Sequence, residues 1–168
     1  MISFRTGTAA DLPAIAALFR KSFIETFGHL YAADDLAAFF ARSTAEAWAE
    51  EFAEPGIAFC LAEDIGGLVG FAKVGALKLP ADTCARTLEL RQLYLEARAQ
   101  GSGAAQALMD KVIDIARARG AEEIWLSVYI DNHRAKRFYA RNGFEDCGPY
   151  CFMVGNHADE DRLMRRRL

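Results

Sequence analysis

Long apolar runs are missing from this chain. None approaches the roughly 18 residues that a membrane-spanning helix requires, and the first residues carry no basic start ahead of an apolar core. Neither a membrane partner nor export is expected; a cytoplasmic location is. Cysteine is sparse: Cys60, Cys84, Cys147 and Cys151 form no Cys-x-x-Cys pair and have no histidine cluster beside them. Cys147 and Cys151 are close enough for a metal clip or a disulfide, but reduced side chains are the favoured expectation. His29, His133 and His157 are scattered without metal-ligand spacing, so no metal is expected. Excess positive charge is absent as well. A formal charge of −3 argues mildly against nucleic acid and is compatible with a cationic substrate. No internal repeat, linker or low-complexity segment interrupts the chain.

What is present fits one domain over residues 1–168, with a hydrophobic fraction of 52% and enough length to bury roughly 68–70% of its unfolded surface. Ile2 to Arg5 reads as a short strand. A helix capped by Thr8 or Asp11 follows, with Pro13 in its first turn and an apolar stripe of Leu12, Ile15, Ala16, Phe19, Phe23 and Phe27. Asp34 to Arg42 and Ala45 to Phe52 read as two more helices, stopped by Pro55-Gly56. Ile57 to Ala62 and Leu68 to Lys78 form a predicted hairpin around Asp64-Ile65-Gly66-Gly67. Arg86 to Leu95 reads as a strand and Gly101 to Arg119 as an amphipathic helix ended by Gly120. A strand over Ile124 to Ile130 and a short helix closed by Gly143 come next. Glu145 to Val154 and Asp161 to Leu168 are the final predicted strand pair, across Gly155-Asn156.

Two segments carry the chemistry. The first, Arg98-Ala99-Gln100-Gly101-Ser102-Gly103, lies between an apolar strand and the long helix. Backbone N–H groups of such a turn point outward, the helix dipole favours negative charge, and glycine lets an anion approach. Alone this signal is weak. The second is Asn132-His133-Arg134-Ala135-Lys136-Arg137-Phe138-Tyr139-Ala140-Arg141-Asn142-Gly143-Phe144. Asn132 is a natural helix N-cap there, and Ala135, Phe138, Tyr139 and Asn142 recur at helical spacing. The first segment resembles the pyrophosphate motif Arg/Gln-x-x-Gly-x-Gly/Ala of the Gcn5-related N-acetyltransferases, the GNAT superfamily. The second resembles that family's companion motif, Asn-x-x-Ala-x-x-Phe-Tyr-x-x-x-Gly-Phe. Both stand in the family's order and at ordinary spacing.

The resemblance implies an α+β fold with a mixed, mostly antiparallel sheet splayed at the cofactor site, and acetyl-CoA as the acetyl donor. It implies that Gln100, Gly101, Ser102, Gly103 and Ala104 offer amides to the pyrophosphate, with Arg98 a weaker candidate. Leu93, Tyr94 and Leu95 match the strand whose backbone bonds pantetheine and polarises the acetyl carbonyl. Asn132 matches a contact to the pantetheine arm. Tyr139 matches a tyrosine that protonates the departing thiolate; the alternative is an ordinary core tyrosine. An alkylamine with a pKa near ~10.4 is almost entirely protonated at neutral pH, so a base is needed. Glu89 matches a glutamate of many family members, although a salt-bridged partner of Arg91 is an equally good description. Strict alternation puts Glu89, Arg91, Leu93 and Leu95 on one face unless a bulge re-phases the strand. Arg165-Arg166-Arg167 could attract the CoA 3′-phosphate, but a soluble strand end is the preferred explanation.

Within that family the chain is most similar to bacterial PaiA-type spermidine/spermine N-acetyltransferases. Ser22 to Phe27, Tyr31, Asp35-Leu36, Glu89-Leu90, Ile124-Trp125-Leu126 and the ending from Phe144 to Met164 carry that similarity. Gly28-His29-Leu30 and Cys147 to Cys151 depart from it. The implied acceptor is a small primary amine such as a polyamine, attacking directly in a ternary complex, with Glu25, Asp34 and Asp35 as candidate sources of negative charge. Acetylation of a protein N-terminus or lysine, and a non-catalytic CoA-binding module, are the alternatives. A homodimer is compatible with the sequence, which is otherwise silent on assembly.

Overall fold

A computed structural model describes Met1–Leu168. In chain order it contains β1 (Ser3–Thr6), α1 (Leu12–Phe27), α2 (Ala33–Ala41), α3 (Ala45–Phe52), β2 (Ala58–Asp64) and β3 (Gly67–Ala76). After them come β4 (Thr87–Leu95), α4 (Ala104–Ala118), β5 (Glu123–Tyr129), α5 (His133–Arg141), β6 (Glu145–Val154) and β7 (His157–Arg167). Local chemistry sets many of the boundaries. Thr44 accepts from the Ala47 amide at the start of α3, and Asn132 does the same for Ala135 at the start of α5. Asp64 accepts from the Gly66 amide and so closes the two-residue turn between β2 and β3.

The seven strands form one sheet in the order β1-β2-β3-β4-β5-β7-β6. Only β4 and β5 run parallel, joined by the crossover helix α4. This is the mixed, mostly antiparallel α+β arrangement expected. Side chains alternate between two cores. Cys60, Ala62, Ala72, Val74 and Leu90 pack beneath α4 and α5, with Leu108, Val112 and Phe144. Phe59, Leu61 and Phe71 pack on the opposite face against Ile15, Phe19 and Phe23 of α1, Phe40 of α2 and Trp48 of α3.

Two departures from the sequence expectation bear on function. First, the β3–β4 register slips between Lys73, opposite Gln92, and Val74, opposite Leu90, leaving Arg91 as the extra residue of a bulge. Leu88, Leu90, Leu93 and Leu95 therefore share the α4 face, while Tyr94 joins the α1 face. Strict alternation is overturned, and Glu89 lies opposite Leu93 and Leu95 rather than beside them. Second, β7 begins at His157, four residues before the expected Asp161, because the tight Gly155-Asn156 turn lets Val154 pair with His157 directly. That brings Asp159 and Asp161 into the sheet.

Candidate active site

Strands β4 and β5 are paired only at Thr87–Glu123, Leu88–Ile124 and Glu89–Trp125. Beyond those pairs the bulge at Arg91 turns β4 away, while β5 stays paired with β7 along its whole length. The strands part, and a cavity of about 630 Å³ fills the gap, reached by Leu90 to Leu95 from one side and Ser127 to Tyr129 from the other. A polar groove of about 670 Å³ also runs between α4 and the end of β7, past Arg117 and Arg166. It lacks the mix of apolar wall and convergent polar groups typical of a substrate site, which the splay cavity has.

At one end, the cavity is lined by Gln100, Gly101, Gly103, Ala105 and Gln106. Gly101 and Gly103 have φ of +79° and +87°, a region that suits glycine. A side chain at either would meet nothing within 4 Å, so the space above them is open. The amides of Gly101, Gly103, Ala105 and Gln106 donate to no group in the protein. Four unspent donors at the start of a 15-residue helix form a concave anion cradle. Arg134 and Arg141 of α5 border the same cavity, Arg134 donating to the Gln100 side-chain carbonyl at 2.5 Å. Ser102 and Ala104 are outside the lining. The Ser102 hydroxyl donates to the Ala99 carbonyl and accepts from the Ala104 amide, so these two residues hold the turn together from within.

In the middle, Leu93, Tyr94 and Leu95 present a β4 edge that β5 does not pair, and Asn132 and Tyr139 face it from α5. Asn132 spends its side-chain oxygen on the α5 cap. Tyr139 is 9% exposed, and its hydroxyl has no hydrogen bond within the protein. Burial pushes its pKa up to about 12, which keeps the hydroxyl protonated at neutral pH. A protonated phenol facing a gap is equipped to donate.

The far end is made of side chains. Phe19, Phe23, Phe27, Tyr31, Phe39 and Phe152 wall it, with Phe23 stacked on Phe39 at 4.9 Å and Tyr31 edge-on to His157 at 5.3 Å. Asp159 and Asp161 project into this aromatic chamber from β7. The Tyr31 hydroxyl donates to Asp159, and His157 stands 3.3 Å from its other oxygen. Asp161 is 6% exposed and pairs with no cation. Burial and the neighbouring Asp159 charge push its pKa up to about 7, opposed by a hydrogen bond from Ser127. The Ser22 hydroxyl and the Gln92 side-chain carbonyl, both on the cavity wall, are buried without partners.

Several sequence candidates lie elsewhere. Glu89 is absent from the lining, and its Oε2 accepts from the backbone amides of Lys78 and Leu79 at 2.7 and 3.0 Å. Arg91 pairs with Glu51 of α3 and with Glu54 just beyond its end, so it is not the partner of Glu89. Arg98 is tied to Glu96 and Asp64. Arg165 to Arg167 also stay clear of the cavity; Arg166 donates to the Asn142 carbonyl. Glu25 and Asp34 do not reach the chamber, and Asp35 accepts from the Asn156 amide, bracing the Gly155 turn against α2. Sequence reading missed Ala105, Gln106, Arg134, Arg141 and Asp159 as cavity residues, and had Ser22 and Asp161 only as part of the subgroup resemblance. A usable signal was present: Asp159 and Asp161 continue the two-residue spacing of buried Leu163.

An amide cradle beside a splayed parallel strand pair is a site for an anion joined to an extended, amide-bearing ligand, and comparison with known proteins names the family that builds it. The model of the Acetyltransferase (GNAT) family matches residues 12–144. Over 159 residues the chain is 35% identical to an uncharacterized N-acetyltransferase of Mycobacterium tuberculosis, spanning 94% of this chain and 98% of the relative. The PaiA N-acetyltransferase of Thermoplasma acidophilum, solved with coenzyme A, has the same fold with a TM-score of 0.77 at 20% identity, over 100% of this chain and 99% of that one. The yncA protein of Salmonella typhimurium, solved with its cofactor acetyl-CoA, gives a TM-score of 0.73 at 19% identity over 100% and 94%. The chain belongs to the GNAT family and is an N-acetyltransferase.

Proposed function

We propose that this enzyme transfers an acetyl group from acetyl-CoA to the nitrogen of a small primary amine in a ternary complex. The carrying observation is that a single cavity joins the free amides of Gly101, Gly103, Ala105 and Gln106 to the buried aspartates of the aromatic chamber. The donor fits the residues present. Its pyrophosphate suits the open cradle over Gly101 and Gly103, Arg134 and Arg141 add positive charge, and the unpaired edge of Leu93 to Leu95 suits the pantetheine amides. Bound there, acetyl-CoA supplies an activated thioester carbonyl.

The chain's own groups then act on it in turn. An amide of the β4 edge polarises the carbonyl, in the manner of an oxyanion donor. The amine nitrogen forms a bond to the carbonyl carbon as the carbon–sulfur bond breaks. Tyr139 gives its proton to the departing sulfur and regains one as the nitrogen becomes an amide. The chamber walls exclude water, and ring faces favour a cationic or apolar body on the acceptor. The similarity of residues 22–36 and 144–164 to the PaiA type nominates spermidine and spermine within this class. A CoA-release assay across monoamines, polyamines, amino acids and peptides tests the reading. Turnover concentrated on small amines is expected; a peptide N-terminus or lysine acetylated far faster would overturn it.

A further inference from the structure

Once the acceptor is an amine, something must take its proton, and the chamber offers two carboxylates in different circumstances. Asp159 is already engaged by the Tyr31 hydroxyl and by His157. Asp161, 6% exposed, has no positive charge beside it, and the Ser127 hydroxyl near it acts to lower its pKa. A carboxylate so placed is costly unless a cation joins it. The orphaned Ser22 hydroxyl, 4% exposed, and the orphaned Gln92 carbonyl border the same space from α1 and β4, and each is an unused acceptor. Asp161 and the Gln92 carbonyl are acceptors with no charged donor, and the Ser22 hydroxyl beside them can accept as well as donate. An alkylammonium, with three N–H donors and a positive charge, answers that deficit.

We propose that Asp159 anchors the acceptor's ammonium and that Asp161 is the base that removes its proton. This rests on the amine-acetylation reading above. In the step, an N–H bond of the ammonium breaks, its electron pair stays on nitrogen, and the proton passes to the Asp161 carboxylate. The nitrogen is then free to attack, and Asp161 later gives the proton to solvent. The titratable groups around Asp161 are Asp159 on its own strand, Tyr129 on β5, Tyr150 on β6, Tyr94 on β4 and Tyr31 after α1. The tyrosines stay neutral near pH 7, and the His157 imidazole stands on the Asp159 side of the pair, so the share of the low-pH limb that belongs to Asp161 is the share that Asp161→Asn removes. With Asp161 held up to about 7, that limb falls within the neutral range.

The pH dependence of kcat/KM, measured on the parent and on Asp161→Asn with the panel amine that turns over best and with its fluorinated analogue, tests the assignment. Fluorination leaves the amine largely unprotonated at neutral pH. The expected result is a fall of about 100-fold or more in Asp161→Asn with the ordinary amine, loss of the low-pH limb, and a much smaller fall with the fluorinated amine. The CoA-dependent rise in melting temperature should persist, showing that the variant folds and keeps its donor site. In the parent, the fluorinated amine should itself abolish the limb, a readout that needs no variant. An active parent whose Asp161→Asn variant keeps both rate and limb overturns this assignment alone. A parent inert toward every amine overturns the acceptor reading with it.

Discussion

The two ends of the cavity are built from different materials. The donor end is backbone: four free amides at the start of α4 and an unpaired edge on β4, where side-chain identity matters mainly through its absence at Gly101 and Gly103. The acceptor end is side chain: six rings, two aspartates and a buried serine, drawn from α1, α2, β6, β7 and the segment after α1. A backbone site recognises one fixed chemistry, a phosphate and a string of amides. A side-chain site can be rewritten one residue at a time. The contrast predicts that substitutions at the donor end act on binding of any acyl-CoA, while those at the acceptor end change which amine is used and how it is deprotonated.

The largest effect that would break this division is at Gly103. In Gly103→Glu a carboxylate enters the open space of the cradle, and the backbone is held at a φ that non-glycine residues adopt only with strain. The CoA-dependent stabilisation should disappear. In the parent it should reach about 2.7 kcal/mol at a hundredfold excess over Kd, read as a rise in Tm. A variant that keeps the shift would show that the pyrophosphate is bound elsewhere.

Next is Tyr139, where the two ends meet. Tyr139→Phe removes one hydroxyl that has no protein partner, so packing and CoA affinity should change little. The kcat should fall by about 100-fold. Unchanged turnover would make Tyr139 a core residue and leave thiolate protonation to water.

The contrast in materials also accounts for what could be read from the chain beforehand. The Gly101-Ser102-Gly103 turn and the Asn132 cap announce themselves because glycine and asparagine are demanded there by backbone geometry, which is local in sequence. The order of strands and helices was legible for the same reason, through periodicity and turns. The acceptor end depends on contacts between Tyr31 and Asp159, 128 residues apart, and no local rule reports them. Phase errors hid the rest. One extra residue at Arg91 put Glu89 on the opposite face from Leu93 and Leu95, with its carboxylate spent on the Lys78 and Leu79 amides, and four extra residues at the start of β7 brought Asp159 and Asp161 into the sheet. Asp35 looked free to attract a cation, yet it is spent on the Asn156 amide.

Glu89 offers a smaller but sharper test of the same division. Its carboxylate accepts from the amides of Lys78 and Leu79, an arrangement that braces the segment following β3. Glu89→Gln keeps the shape and one acceptor but loses the charge. Stability should drop by about 1 kcal/mol, which for a chain of this size lowers Tm by roughly 2–4 °C. The pH–rate profile should stay parental in position. A displaced low-pH limb would return the deprotonating role to Glu89 and take it from Asp161.

The smallest expected effect concerns the length of the acceptor. Only Asp159 and Asp161 bring carboxylates into the chamber, so one ammonium of a polyamine can be paired there while the others must lie toward the mouth. Charges at the mouth face solvent, where attraction is screened over ~8 Å at physiological ionic strength, whereas the buried pair is screened far less. Added salt should therefore lower kcat/KM severalfold for spermine and barely at all for a monoamine of similar body. Reversing the exposed Asp34 should leave both values near parental, since it does not line the cavity. Equal salt dependence for the two amines would show that the distal charges meet nothing on the protein, and the preference would then follow the ring-lined chamber alone.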